Sequence, residues 1–267
     1  MSLQMRYLFI SFFSLFCTPI YAITLTFAYE DKAQPPYYLG DTGDVPQLNP
    51  GVAVEMLQIM DSQLDEVEIK FVRMPWKRAL YSLKSNRIDG IFNAAFLTER
   101  LEYGWYPTVN RKPYGPIDTS RRITQISYSL YKLASSPLDW HGDWSVLKEE
   151  LVGAPLGFSI VTDLKKKGVR VEEFHSSQSN LRMLLTHRLK LVALQSVTAD
   201  SLLKTKKDNA EYAKIEKLTP NLISKPYYLM LSKYFVNQNP KLAQKIWDKI
   251  KQIRQEQRPA LFARYQK

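Results

Sequence analysis

Short stretches of alternating apolar and polar residues are separated along this chain by segments with helical spacing. Residues 23–27 alternate with a period of two, which predicts a strand with one buried face, and Pro35-Pro36 then enforces a loop. After Gly51, residues 52–60 carry an apolar stripe with helical spacing, and residues 67–71 alternate again. This part of the chain therefore predicts the order strand, helix, strand.

The same order continues beyond residue 75. A short helix is predicted there with Trp76, Leu80 and Leu83 on one face, and the turn at Asn86-Arg87 leads into the apolar strand 90–92. Strands that alternate with helices at this spacing favour a parallel sheet.

A stretch without a sustained period, residues 105–122, separates this unit from a second one, and we place the first lobe boundary in it. Beyond it, residues 126–130 alternate, and residues 156–160 are predicted to form a short buried strand. An apolar helix face at 181–185 then precedes the apolar run 189–194. The pattern predicts a second α/β unit.

The C-terminal part predicts one strand and one long helix. Residues 226–231 are typical of a strand. Pro240 opens a helix whose inner side carries Leu242, Ile246, Ile250 and Ile253.

The N-terminal residues predict export. Arg6 precedes the apolar run 7–17, and Ala22 supplies a small residue for cleavage. A membrane-spanning helix needs about 20 apolar residues, roughly twice this run, so an uncleaved anchor is the weaker interpretation. We expect a signal peptide at 1–22, a mature chain from Ile23 and a periplasmic location.

Cysteine and charge exclude several classes of function. Cys17 is the only cysteine and lies in the predicted signal, so the mature domain has no disulfide or thiol nucleophile. The net charge of +11 invites a nucleic-acid interpretation, but the basic residues are dispersed and the chain is predicted to be exported. We expect no nucleic-acid partner.

Four segments carry a resemblance to a known family: GVAVE at 51–55, PWKRAL at 75–80, NRIDG at 86–90 and TER at 98–100. In this order they resemble extracellular solute-binding protein family 3, the periplasmic substrate-binding proteins of amino-acid ABC transporters. The likeness covers nearly the whole mature chain. It implies an α/β, two-lobed type II periplasmic-binding fold, in which each lobe is a mixed, mainly parallel sheet flanked by helices.

The resemblance also implies the domain organisation and the partners. Residues 23–115 and 216–267 would form lobe 1 around lobe 2 at 116–215, and the lobes would close over a small polar solute, an amino acid or a related carboxylate. An inner-membrane ABC permease is the expected partner of this monomer, which needs no cofactor. A membrane sensor would use the same binding site, and the fold also supports a secreted dehydratase, so both alternatives stay open.

Arg100 matches the arginine that grips the ligand carboxylate in the family. A planar guanidinium can donate two parallel hydrogen bonds to a carboxylate, which lysine cannot do. The alternative is a surface ion pair with Glu99 or Glu102.

The resemblance places three aromatic candidates at the cleft. Tyr37 or Tyr38 would follow the first strand, and Trp76 would begin a helix. Stacking on such rings would hold the body of a ligand. The alternative for Trp76 is core packing, because it shares a stripe with Leu80 and Leu83.

Three polar residues complete the predicted ligand site. Asn93 falls at a strand end, and Thr162 would cap a helix whose free N–H groups hold an anion, although a routine N-cap is the alternative. Gln195 stands where the family has an acidic residue that binds a ligand amine, and His187-Arg188-Leu189-Lys190 replaces the second GxxD turn. A neutral amide lacks the charge that an α-ammonium requires.

Enzymatic chemistry has little support in the sequence. There is no G-x-S-x-G or H-E-x-x-H motif, and His141, His175 and His187 lack a helical metal spacing. We expect surface or loop histidines, no metal site and no enzyme.

Overall fold

The structure, a computed structural model, describes residues 22–40 and 43–265. Within these ranges the strands are β1 (Ile23–Glu30), β2 (Val67–Met74), β3 (Gly90–Ala95), β4 (Gly104–Trp105), β5 (Thr124–Leu133), β6 (Leu151–Pro155), β7 (Arg170–Phe174), β8 (Leu191–Gln195), β9 (Ile215–Lys217) and β10 (Ile223–Ser232). The helices are α1 (Val52–Asp61), α2 (Trp76–Lys84), α3 (Ser159–Lys166), α4 (Ser177–Leu185), α5 (Ser196–Thr205), α6 (Lys233–Gln238), α7 (Pro240–Glu256) and α8 (Arg258–Tyr265).

One half of the sheet is built on β1, which pairs in parallel with both β2 and β3. Helices α1 and α7 contact each other, and the indole Nε1 of Trp247 on α7 donates to the Leu229 carbonyl of β10 at 2.9 Å. Ile246, Ile250 and Ile253 are buried as their spacing predicts, since an apolar stripe turns toward the core. Each such fully buried side chain contributes about 1.5–3 kcal/mol.

The other half of the sheet is built on β6, which pairs in parallel with β7 and β8, while β5 runs antiparallel to β8. The prediction of a strand at 156–160 is wrong. Strand β6 ends at Pro155, and α3 begins at Ser159. Gly157 has a φ of 73°, which lets the chain turn between them. A short apolar run does not distinguish a strand from the buried start of a helix.

Strand β10 joins the two halves. Its first residues, Ile223 to Tyr227, pair antiparallel with β5, and its later residues pair antiparallel with β3 and β4. The strand order is β2-β1-β3-β10-β5-β8-β6-β7, with β9 added beside β5. The lobe boundaries predicted near residues 115 and 215 stay predictions.

The predicted signal peptide falls almost entirely on residues that the structure does not describe. Residues 1–21 lie outside the described residues, so the signal peptide and its cleavage after Ala22 stay predictions. Within the described part, no helix has the length and apolar character to cross a membrane.

Candidate ligand-binding site

Side chains from both halves of the sheet line a small cavity of about 10 Å³, room for about one water molecule. Its lining consists of Tyr38, Trp76, Asn93, Arg100, Tyr128, Phe158, Ser159, Gln195 and Tyr227. These residues come from strands β3, β5, β8 and β10, from the starts of α2 and α3, from the segment after β1 and from the 3₁₀ turn after β3. Five of the seven predicted ligand residues therefore meet at one place.

Arg100 lies in a 3₁₀ turn, Thr98–Glu102, and is only 4% exposed. Its Nη1 donates to the Ala95 carbonyl at 2.9 Å, and its Nη2 donates to the Gly157 carbonyl at 3.0 Å. The guanidinium also lies 5.1 Å from the centre of the Trp76 ring. Arg100 thus bridges the end of β3 and the turn before α3, on opposite sides of the cavity.

The alternative of a surface ion pair at Arg100 is wrong. Glu99 faces Lys166 at 4.0 Å, and Glu102 pairs with Lys84. Among the described residues, no carboxylate forms an ion pair with Arg100. The buried cation is thus held by neutral groups: two backbone carbonyls, the Trp76 ring and the Tyr106 hydroxyl.

Trp76 packs in the core and also lines the cavity, so core packing is confirmed and its contact with a ligand stays a prediction. It is 6% exposed and packs in an apolar cluster with Ala79, Leu80 and Leu83, and it also lines the cavity. Its backbone N–H donates to the Glu30 carboxyl at 3.2 Å, whereas its indole Nε1 has no hydrogen-bond partner.

Asn93 lies on β3 with a φ of 57°, in the left-handed region that asparagine tolerates better than most residues. Its Oδ1 accepts a hydrogen bond from the Thr124 hydroxyl at 2.6 Å. Its Nδ2 is buried and has no partner. The amide is therefore fixed at its oxygen and has free hydrogen-bonding capacity at its nitrogen.

The structure separates the two tyrosine candidates after β1. Tyr38 lines the cavity, while Tyr37 is buried away from the lining and packs against Phe262, with ring centres 6.2 Å apart. Gln34 bonds to the backbone of both residues and forms the tight turn that gives them different directions.

Gln195 ends β8 and directly precedes α5. It is 2% exposed, and its Nε2 donates to the Tyr128 hydroxyl at 3.4 Å. Its Oε1 lies 3.4 Å from the Thr198 hydroxyl, whose single proton is given to the Pro35 carbonyl at 2.9 Å. The nitrogen of the amide is therefore occupied by the protein, and the oxygen is a neutral acceptor beside the cavity.

The assignment of Thr162 as a helix cap is wrong. Phe158 holds the N-cap position of α3, and Thr162 is the fourth residue of that helix, half-buried and outside the cavity lining. Because the turn at Gly157 starts the helix early, Ser159 occupies the place that faces the cavity.

Sequence reasoning missed four lining residues: Tyr128, Phe158, Ser159 and Tyr227. Three of them form a hydroxyl chain, with 2.7 Å between Tyr128 and Tyr227 and 3.1 Å between Ser159 and Tyr227. Burial raises the pKa of both tyrosines, so both phenols stay neutral at physiological pH. The only sequence signal was that Tyr128 lies on the buried face of the β5 alternation.

Glu30, at the end of β1, is the one acidic residue that is buried among the described residues. Burial raises the pKa of Glu30 to about 8, and the neighbouring Asp31 adds to the rise. The carboxyl is therefore mostly protonated at neutral pH. The carboxyl accepts a hydrogen bond from the Trp76 backbone N–H and does not line the cavity.

The three histidines are exposed, which confirms their prediction as surface or loop residues. Within residues 22–40 and 43–265, no group of three His, Cys, Asp or Glu side chains could hold a metal ion.

Comparison with solved structures identifies the fold of the chain. No protein-family model and no curated protein matches the chain. A histidine kinase sensor domain with similarity to periplasmic binding proteins superposes with a TM-score of 0.73 at 13% identity, covering 91% of this chain and 96% of that one. The chain has the fold of the periplasmic binding proteins.

Two further structures with this periplasmic-binding fold match over nearly their whole length. An ancestral arginine-binding protein bound to arginine gives a TM-score of 0.69 at 17% identity, covering 91% of this chain and 97% of that one. The substrate-binding protein of an amino acid ABC transporter gives 0.68 at 14% identity, covering 91% and 98%. The predicted fold class is confirmed, and identities this low carry the fold alone.

Proposed function

We propose that this protein is an exported, periplasmic solute receptor that captures a small polar carboxylate for an inner-membrane ABC importer. The observation that carries the proposal is Arg100, a cation that is 4% exposed, lines the small cavity between the two halves and has no anionic partner among the described residues. Removing a charge from water costs on the order of several kcal/mol, and neutral carbonyls return only part of that cost. A ligand carboxylate would supply the missing charge through two parallel hydrogen bonds.

In this fold, a separation of the two sides of the cavity would let Arg100 exchange a backbone carbonyl for a ligand carboxylate. Arg100 donates to Ala95 on one side of the cavity and to Gly157 on the other. Thr198 on α5 similarly donates to the Pro35 carbonyl at 2.9 Å. Separation of the two sides about β5 and β10 would break both cross-cavity contacts and admit a solute. Closure over the solute would then place its carboxylate against the guanidinium.

Thermal-shift screening of the mature protein with small carboxylates, amino acids and polyols tests the proposal. A ligand that binds only the folded state raises its stability by mass action. We expect at least one carboxylate to raise the melting temperature and to reduce the radius of gyration in solution scattering. A panel compound without a thermal shift is the control. Tight binding with unchanged scattering would contradict hinge closure.

A sensory role is the second candidate function, favoured by the match to a histidine kinase sensor domain at a TM-score of 0.73. The binding site would be the same, and only the docking partner would differ. Capture of membrane partners by the ligand-loaded protein separates an importer permease from a kinase.

We propose no catalytic turnover. The described lining of the cavity contains no histidine, cysteine or carboxylate, the side chains that most often move protons at a reaction centre. Recovery of the bound solute unchanged, by mass spectrometry after prolonged incubation, is the expected result. A dehydrated product would favour the enzyme alternative.

A further inference from the structure

We infer that the ligand is a small carboxylic acid without an ammonium group, such as a 2-hydroxy or 2-oxo acid, and not an α-amino acid. The inference rests on the proposed function and specifies its substrate class. It comes from the hydrogen-bonding capacity that the cavity leaves unused.

The unused capacity on the cavity wall consists of donors. The indole Nε1 of Trp76 and the Nδ2 of Asn93 have no hydrogen-bond partner in the described part of the chain, although the two residues are only 6% and 5% exposed. Arg100 offers five N–H donors and gives two hydrogen bonds to backbone carbonyls. Since buried polar groups are almost always satisfied, three such donors on one wall indicate a ligand that is rich in acceptors.

Few acceptors remain on the lining of the same cavity. Thr124 donates to the Asn93 oxygen, and the hydroxyls of Tyr128, Tyr227 and Ser159 bond to one another. The Gln195 oxygen lies 3.4 Å from the Thr198 hydroxyl, whose single proton is given to the Pro35 carbonyl at 2.9 Å, so this neutral amide oxygen is the remaining acceptor. Unpartnered acceptors elsewhere in the described chain, such as the Oε1 of Gln34, do not line the cavity. An ammonium has three donors and no acceptor, and among the described lining residues it would meet only neutral oxygens and no carboxylate.

The charges near the cavity point the same way. No carboxylate among residues 22–40 and 43–265 lines the cavity, and Gln195 is neutral. Asp163, on α3, pairs with Lys225 of β10, so its charge is already balanced. Glu30 is mostly protonated at neutral pH because burial raises its pKa to about 8. An ammonium would add a second cation beside Arg100 with no anion to offset it.

An aromatic face could in principle replace a carboxylate as the partner of an ammonium. Tryptophan is the best such face, and Trp76 is the cavity's one tryptophan among the described residues. Its ring already carries the Arg100 guanidinium at 5.1 Å. The strongest cation-binding face of the cavity is therefore occupied by the protein itself.

Matched acids that differ only at the α-substituent test the inference on the wild-type protein. We would titrate L-alanine against L-lactate and pyruvate, L-leucine against 2-hydroxyisocaproate, L-phenylalanine against phenyllactate, and L-glutamate against 2-oxoglutarate. The expected result is that at least one acid without the amine binds at least 10-fold more tightly than its amino acid, a difference of about 1.4 kcal/mol.

Two outcomes would overturn the inference, and they are distinguishable. An amino acid that binds as tightly as its matched acid, or more tightly, contradicts the inference and leaves the proposed function standing. If no acid of either kind binds, the proposed function fails and the inference fails with it.

Variants of two lining residues test whether the cavity itself sets the preference for the acid over the amino acid. Gln195→Glu supplies the missing carboxylate and should shift the preference toward the amino acid by at least 10-fold, while the same change at the exposed Gln63 should shift nothing. Asn93→Asp keeps the oxygen that Thr124 contacts but replaces the free donor by an acceptor, so it should weaken binding of the acid at least 10-fold. If a variant fails to fold, the wild-type series decides alone.

Discussion

The two walls of the cavity differ in how far the protein satisfies its own polar groups. On the β3 wall, Trp76, Asn93 and Arg100 keep unpartnered N–H groups or an unpaired charge. On the opposite wall, the Tyr128 and Tyr227 hydroxyls, with Ser159 and Gln195, are joined in one chain of hydrogen bonds.

This difference assigns ligand binding to the β3 wall and fold stability to the opposite wall. Unsatisfied buried donors lower the stability of the folded protein, and a ligand that accepts from them recovers the lost free energy on binding. A satisfied network gains little from a ligand, but it fixes the strands that carry it. We expect loss of a donor on the β3 wall to lower affinity, and loss of a hydroxyl on the opposite wall, the hydroxyl wall, to lower stability.

The largest expected effect is on stability and concerns Glu30, whose carboxyl accepts a hydrogen bond from the Trp76 backbone N–H. The pKa of Glu30 is raised to about 8 in the folded protein, above the model-compound value of 4.5, so the folded state holds this proton more tightly than the unfolded state does. Its contribution to stability is complete below pH 4.5 and is lost as pH rises through 8. Between pH 5 and 8 the free energy of unfolding should fall by roughly 2 to 4 kcal/mol from this group.

Glu30→Gln should remove that pH dependence, because glutamine keeps the shape and cannot ionise. Urea unfolding of both proteins at pH 5, 7 and 8 measures it, with the exposed change Glu68→Gln as the control. Parallel pH profiles for the wild type and Glu30→Gln would contradict the shifted pKa.

The next effect is on affinity and concerns Arg100. Arg100→Lys keeps the charge but loses the planar fork, so the affinity for the tightest acid of the panel should fall by about 1.5 to 3 kcal/mol. Because Arg100 is buried and holds two carbonyls, the free energy of unfolding should also fall, by about 1 kcal/mol.

Calorimetric titration and urea unfolding separate the two terms for Arg100→Lys. The control is Arg78→Lys on the exposed face of α2, which should change neither. An unchanged affinity in Arg100→Lys would remove this residue from the ligand site and leave it a purely structural role.

The smallest effect belongs to the hydroxyl wall. Tyr227→Phe removes one oxygen that contacts Tyr128 and Ser159, so the free energy of unfolding should fall by about 0.5 to 1.5 kcal/mol, while affinity should stay within about 3-fold. Tyr81→Phe, at a tyrosine that is 65% exposed, is the matched control. An affinity loss as large as that of Arg100→Lys would show that both walls bind the ligand.

The sequence alone determined the order of the elements and most of the β3 wall. Periodicity reports which face of a local segment is buried, so β1, α1, β2, α2 and α7 could be predicted from their apolar spacing. Arg100, Trp76 and Asn93 lie close together in the chain, around one strand, so a family resemblance over that short region could identify all three. Gln195 was found in the same way, at the end of its strand.

Only the tertiary structure decided the hydroxyl wall and the contacts of each candidate. Tyr128 and Tyr227 are 99 residues apart and meet because β5 and β10 pair in one antiparallel register, which no local pattern encodes. The choice of Tyr38 over Tyr37 depends on a ring packed from the C-terminal helix, and the start of α3 depends on a left-handed glycine. The raised pKa of Glu30 likewise depends on burial. These features arise from long-range packing, whereas sequence periodicity reports only the local environment of each segment.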